Sequence, residues 1–188
     1  MPRLSRVAVL LVAVPLALSA CKKKPAAVEP EPQIPTTTAT PPSTNNTADD
    51  DAARLAAAEA VRKAIEAARS ALLETIFYDY DSDELRSDAR ATLDAKLRVL
   101  NANPSLRIRI EGHCDERGTD QYNLALGRRR AAQAKQYLLD RGIDASRIET
   151  VSYGRERPVV QGSTEEAFAQ NRRGEFQIIA GGDELKAP

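Results

Sequence analysis

Leu106-Arg107-Ile108-Arg109-Ile110-Glu111, then Gly112-His113-Cys114-Asp115-Glu116-Arg117-Gly118, then Thr119-Asp120-Gln121-Tyr122-Asn123 decide the fold. From Leu106 to Glu111 apolar and charged residues alternate, the period of a strand with one face on a core and one in water. Thr119–Arg141 switches to helical spacing, with Leu124, Ala131, Ala134 and Leu138 on one face and Gly142 as its stop. Upstream, Thr75–Tyr80 is aromatic and β-prone. Ser87–Asn101 then carries Ala89, Leu93, Leu97 and Leu100 at helical spacing and is halted by Asn103-Pro104. Downstream come a strand over Arg147–Tyr153, a short helix over Thr164–Gln170 and a last strand over Glu175–Ile179. The order βαβαβαβ predicts an α/β (α+β sandwich) domain over residues 75–180, a mixed sheet with helices packed on it, and a C-terminal tail over 181–188.

The loop between the second strand and the long helix concentrates the chemistry. A strand end that feeds a helix N-terminus points backbone N–H groups outward, and Gly112 and Gly118 allow turns that other residues resist. Asp115 places a carboxylate there. On the helix, Asn123 and Arg130 are seven apart and share a face. Helical side chains lean toward the N-terminus, so Arg130 is expected to reach back toward Asp115. A fixed carboxylate beside a fixed guanidinium suits a zwitterion: ammonium on Asp115, carboxylate gripped by two parallel hydrogen bonds from Arg130. Arg130→Ala is expected to leave a folded domain without this grip.

Toward the N-terminus, residues 49–74 read as an alanine-rich helix opened by Asp49-Asp50-Asp51, with Glu59/Lys63 and Arg62/Glu66 as i,i+4 pairs. Its stripe of Leu55, Ala58, Ile65, Ala68 and Leu72 is too thin for a coiled coil, which leaves a stalk or an element packed loosely on the domain. Residues 22–48 hold six prolines and a Thr run with little to bury, a linker expected to be disordered. Met1–Ala20 has Arg3 and Arg6, an apolar run from Val7 to Leu18, and small residues before Cys21. That is the layout of an export signal, too short to span a bilayer. A cysteine directly after the small residues resembles the lipobox of bacterial lipoproteins. The resemblance implies cleavage before Cys21, acylation of its sulfur and new amino group, and a domain map of signal peptide (1–20) and lipidated cysteine with linker (21–48). A plain secretory signal with a chance cysteine is the alternative. If Cys21 is a thioether, Cys114 is left unpaired and is expected to be sheltered by the fold, the alternative being a reactive thiol.

The whole chain has 27 basic and 27 acidic residues. Five of the bases (Arg3, Arg6, Lys22, Lys23, Lys24) and two of the acids (Glu29, Glu31) precede Asp49, which leaves a net charge of −3 beyond it. That balance offers no general attraction to nucleic acid. Arg128-Arg129-Arg130 does not change this, because successive helical residues fan by about 100°. His113, the only histidine, stands beside Cys114, Asp115 and Glu116. Consecutive loop residues point in different directions and no second His/Cys pair completes a site, so no metal is expected and His113 is read as a loop or pocket-wall residue. Hydrolysis of wall sugars by Asp79, Asp81, Asp115 and His113 is the rival class. It lacks an activated nucleophile, and an aspartate beside Arg130 should have a lowered pKa where an acid catalyst needs a raised one.

Gly112–Thr119, together with Tyr122-Asn123-Leu124-Ala125-Leu126-Gly127-Arg128-Arg129-Arg130-Ala131, resembles the OmpA-like peptidoglycan-binding domain, and within it the peptidoglycan-associated lipoprotein (Pal) branch. The likeness extends to Tyr78-Asp79-Tyr80-Asp81, to Val151-Ser152-Tyr153-Gly154 with Arg157-Pro158, and to Asn171-Arg172-Arg173. Cys114 and Gly174 depart from the pattern, where small residues such as Ala are more usual. The resemblance implies an OmpA-like fold without enzymatic activity or cofactor, binding the diaminopimelate side chain of the wall peptide without cutting it. Asp115 and Arg130 fall on the family's key pair, Tyr80 and Asp81 on a pocket wall, and Asn171 and Arg172 on the motif behind it. The expected peptidoglycan contacts are these six with Arg117, Gly118, Asn123 and Leu126. The resemblance further implies docking to Tol proteins of the periplasm, with roles in envelope integrity and cell division. Membrane attachment through acylated Cys21 is expected at the periplasmic face of the outer membrane, because Lys22 stands where an Asp would retain a lipoprotein in the inner one.

Overall fold

The computed structural model describes residues 47–188, so the export signal, Cys21, Lys22 and nearly all of the expected linker lie outside the described residues. Thr47 and Ala48, the last stretch where linker is expected, already belong to the first helix. The elements run α1 (Thr47–Leu73), β1 (Ile76–Phe77), α2 (Ser87–Ala102), β2 (Arg107–His113), α3 (Asp120–Leu139), β3 (Ile148–Gly154), α4 (Glu165–Asn171) and β4 (Arg173–Ala180). The strands form one sheet in the order β1-β4-β2-β3. β4 runs antiparallel to both neighbours, while β2 and β3 are parallel, joined by α3 as crossover. This is the mixed sheet that the alternating pattern predicts.

Ile108 and Ile110 of β2, Ile148 of β3 and Phe176 of β4 face Leu93, Leu97 and Leu100 of α2 and Ala131, Ala134 and Leu138 of α3 in one core. The small residues of α3 let it lie close to the sheet. A Cβ on Gly112 would stand 2.0 Å from the Gly127 carbonyl oxygen, so the end of β2 and the middle of α3 cross backbone to backbone.

Three strands differ from the sequence expectation, β4 running from Arg173 to Ala180 where Glu175–Ile179 is expected. The strand expected over Thr75–Tyr80 pairs only through Ile76 and Phe77; the Tyr78 N–H still donates to Arg172 O (2.9 Å), but Asp81 at φ 52° turns the chain off the sheet edge. β2 instead outruns its expected end at Glu111 and takes in Gly112 and His113, which pair with Ser152 and Gly154.

Only the last turns of α1 pack. Leu55 is 72% exposed, whereas Ala68 and Leu72 are buried. The helix end is held by Lys96, whose fully buried ammonium donates to the carbonyls of Ala71 (3.0 Å), Leu72 (2.8 Å) and Glu74 (2.6 Å) and lies 4.0 Å from the Phe176 ring centre. Terminal helical carbonyls lack partners within the helix, and a cation there also meets the negative end of the helix dipole. Burial draws the Lys96 pKa down to about 7, with Glu74 opposing. The tail is tied down as well: Leu185 is buried, and Asn103 both donates to Lys186 O and accepts from Lys186 N.

Lys96→Met would remove three donors at once while keeping the apolar stem. The expected loss is about 2–4 kcal/mol. Thermal unfolding should report it, with amide exchange rising first around Leu72–Ile76.

Candidate functional site

The crossing of Gly112 and Gly127 brings the Asn123–Arg130 face of α3 onto the end of β2. Asn123, Leu126, Gly127 and Arg130 are all buried there, while Arg128 and Arg129 are exposed, so the arginine run forms no single basic surface. Thr119 caps α3 by accepting from Tyr122 N (3.2 Å), and Gly118 at φ 89° makes the turn into it.

The fully buried Arg130 donates from Nε to Ser82 O (2.8 Å), from Nη1 to His113 O (2.8 Å) and from Nη2 to Asp79 O (3.0 Å), with Cys114 Sγ 3.5 Å from Nη1. Tyr78 lies against it, its ring centre 5.1 Å from the guanidinium carbon and its hydroxyl donating to Arg130 O. Burial lowers the Arg130 pKa, opposed by Cys114, Tyr78 and Asp115. This corrects the expected two-pronged grip on a ligand carboxylate. With its five N–H groups mostly committed to loop carbonyls, Arg130 supplies charge and at most one free N–H.

Asp115 is also partnered otherwise than the spacing implies. Its Oδ2 accepts from Arg117 Nη2 (2.5 Å) and Arg172 Nη1 (3.3 Å), and its Oδ1 from Arg117 N (3.2 Å). Burial pushes its pKa up, but the bonds from Arg117 and Arg172 outweigh this and hold it below the usual carboxylate range. The lowered pKa expected from Arg130 therefore has a different cause. Arg117 is clamped between the rings of Tyr80 (4.0 Å) and Phe168 (4.4 Å) and also reaches Glu165 (3.2 Å). Arg172 donates to Tyr78 O (3.2 Å) and pairs with Glu165 (2.8 Å).

A cavity of about 100 Å³ opens between these groups. Nine of the ten expected contacts line it: Tyr80, Asp81, Asp115, Arg117, Gly118, Asn123, Leu126, Arg130 and Arg172, joined by Cys114 and Tyr122. Asn171 is the exception and does not line the cavity. Its side chain accepts from Val159 N (2.8 Å) and Val160 N (3.2 Å) and donates to Val160 O (2.7 Å), so it clamps the loop before α4. His113 is not on the pocket wall either; it is a buried residue of β2. Tyr122, whose hydroxyl bonds the Asp81 carboxylate, was not legible because helical spacing puts it off the Asn123–Arg130 face. Only the returning 78–83 loop brings a partner to it. Cys114 is buried and unpaired among the described residues, and its thiol donates to Asn123 O (3.4 Å); burial raises its pKa, so it is an inert wall group.

The pattern of the OmpA family matches residues 77–172, just over half of the chain. The chain belongs to the OmpA family. Every residue lining the cavity falls within the matched stretch. A peptidoglycan-associated lipoprotein of Rhizobium meliloti (strain 1021) is 50% identical over 100 residues, 53% of this chain and 57% of that protein. One from Brucella melitensis is 48% identical over 100 residues, 53% of this chain and 60% of that protein. The chain thus spans less than two thirds of the length of these relatives. The crystal structure of the peptidoglycan-associated lipoprotein from Burkholderia pseudomallei is 38% identical, with a TM-score of 0.54 over 55% of this chain and 88% of that one. The C-terminal domain of Helicobacter pylori MotB, 18% identical with a TM-score of 0.55 over 60% of this chain and 88% of that one, shares the OmpA-family fold alone.

Arg130→Ala should not leave the folded domain that the sequence alone suggests. It strips the Ser82, His113 and Asp79 carbonyls of their donor, and the expected loss is about 3–5 kcal/mol. A thermal midpoint unchanged from wild type would show that Arg130 does not hold the two loops together.

Proposed function

We propose that this protein is an outer-membrane lipoprotein that holds the cell wall non-covalently, its pocket taking the diaminopimelate end of the peptidoglycan stem peptide. The observation that carries the reading is the ionised, buried Asp115 at the mouth of a 100 Å³ cavity with the Arg130 cation on its wall. So small a cavity suits the zwitterionic head of an amino acid rather than a sugar chain. The incoming ammonium takes the place of Arg117 on Asp115. Arg117 is the movable partner, a third exposed, and keeps Glu165 as a fallback, whereas Arg172 is buried. The Asp81 carboxylate on the wall adds negative charge for the ammonium, and Arg130 draws the carboxylate inward. The relatives named peptidoglycan-associated lipoproteins support peptidoglycan as the polymer held.

The pocket favours binding over catalysis. Two guanidiniums keep Asp115 ionised, which disqualifies it as a general acid, and His113 takes no part in the wall. Charge-assisted bonds of about 1.5–3 kcal/mol each, less the cost of ordering the peptide, give roughly micromolar affinity. Many tethered copies on a repeating polymer add avidity. The tether in this reading is residues 21–48, with acylated Cys21 in the membrane, Lys22 directing it outward, and Tol proteins as periplasmic partners in envelope integrity and division. In this reading α1 is a spacer whose last turns dock on the domain.

The full chain should co-sediment with wall sacculi and release no soluble fragments. A diaminopimelate stem peptide should bind at least about tenfold more tightly than the matching Lys peptide, which lacks the second carboxylate. Asp115→Asn, with its fold checked by circular dichroism, should lose about tenfold or more. Equal affinity for the two peptides, or wild-type binding by Asp115→Asn, would show that the charged ends are read elsewhere.

A further inference from the structure

The helices cover one face of the sheet, and the other presents a patch unrelated to the pocket. Glu111 of β2 and Glu175 of β4 are directly opposed across an antiparallel pair. Like charges in that position repel. His113, two residues along β2, completes the group: one donor atom from each of Glu111, His113 and Glu175 lies within 4.8 Å of the others. Glu111 and His113 are buried, and Glu175 is 33% exposed, which leaves an entry path.

His113 is the unusual member. Neither of its ring nitrogens has a hydrogen-bond partner, although both are buried. Its only aromatic neighbour among the described residues is Tyr153, ring centres 5.5 Å apart, itself covered by Arg157 at 3.6 Å. A buried imidazole with both nitrogens idle is costly unless something outside the chain uses one. In its neutral form such a ring has a lone pair to give a metal ion.

We propose that Glu111, His113 and Glu175 form a site for a divalent first-row metal ion of the Zn²⁺ class, with water completing its coordination. One imidazole and two carboxylates are a donor set such ions accept. Ligand atoms about 2.0–2.2 Å from a tetrahedral ion stand about 3.4 Å apart, so the group closes with small side-chain shifts. Arg173 Nε holds Oε1 of Glu175 at 2.6 Å and leaves the second oxygen for the ion, orienting the ligand as outer-shell partners do. No metal is expected from sequence alone, where His113 counts among consecutive loop residues. With β2 running on through His113, Glu111 becomes its i−2 neighbour along the strand and β4 supplies the third ligand.

The test uses the full chain in detergent, purified without an affinity tag, with Zn²⁺ for calorimetry and Co²⁺ for absorption. Because His113 is the only histidine, a nitrogen-bound ion has one possible imidazole. One Zn²⁺ should bind per chain at about 10 µM or tighter, and the Co²⁺ form should show weak d–d bands without a sulfur charge-transfer band. His113→Gln and Glu175→Gln should each weaken Zn²⁺ binding about tenfold or more. Glu175→Gln, at a partly exposed position, is decisive should His113→Gln fail to fold, and its fold is checked by its thermal midpoint. No binding by wild type, a smaller loss in folded Glu175→Gln, or a sulfur charge-transfer band each overturns the assignment. None of the three residues lines the pocket, so the result is independent of peptidoglycan binding.

Discussion

Arg130 is the constraint on which the rest of the site depends. A buried guanidinium persists only when its donors meet acceptors, and here two segments distant in sequence give three carbonyls to an arginine carried by α3: Asp79 and Ser82 of the 79–82 turn, and His113 at the end of β2. Their meeting point is possible only because Gly112 and Gly127 let β2 and α3 touch through their backbones. The cation therefore sets the pocket wall and charges it in one step. The direct hydrogen bonds that keep nearby Asp115 ionised come from other arginines, Arg117 and Arg172.

The Asp115–Arg117–Arg172 group is the complementary device. A carboxylate held between two guanidiniums is preorganised, so a cationic ligand group meets it already in place and already ionised. The two arginines are not equivalent. Arg172 is buried and also bonded to backbone, whereas Arg117 is stacked between two aromatic rings at the surface with an alternative acid beside it. The proposed exchange at the mouth would thus leave the wall undisturbed, a division of labour that suits reversible binding.

The sheet has two unlike faces. One is a dry aliphatic core closed by helices, with Lys96 binding the end of α1 to it. The other is laddered with charge: Glu149 bridges Arg107 and Arg109, and Arg173 pairs with Glu175. Glu111 and His113 are buried on that second face without the partners their neighbours have found, and so a second site belongs there rather than in the pocket.

Alternation in Leu106–Glu111, helical spacing after Thr119 and the stop signals at Asn103-Pro104 and Gly142 fixed the order of elements, because period and turn chemistry are local properties. The same locality made nine of the eleven pocket residues legible, since they fall in or beside the motifs that carry the family pattern. What sequence could not decide was which charges pair. Spacing joined Asp115 to Arg130, but the partners are Arg117 and Arg172, the latter 57 residues away and delivered by the β4–β2 pairing. The family resemblance put Asn171 with Arg172 behind the pocket, and the fold uses its side chain to hold the loop before α4. The end of β2 lay beyond the reach of alternation, because Gly112 has no side chain to register a period. The meeting of Glu111, His113 and Glu175 was hidden for the same reason: strand register between residues 64 apart is set by packing of the whole sheet, and no local pattern records it.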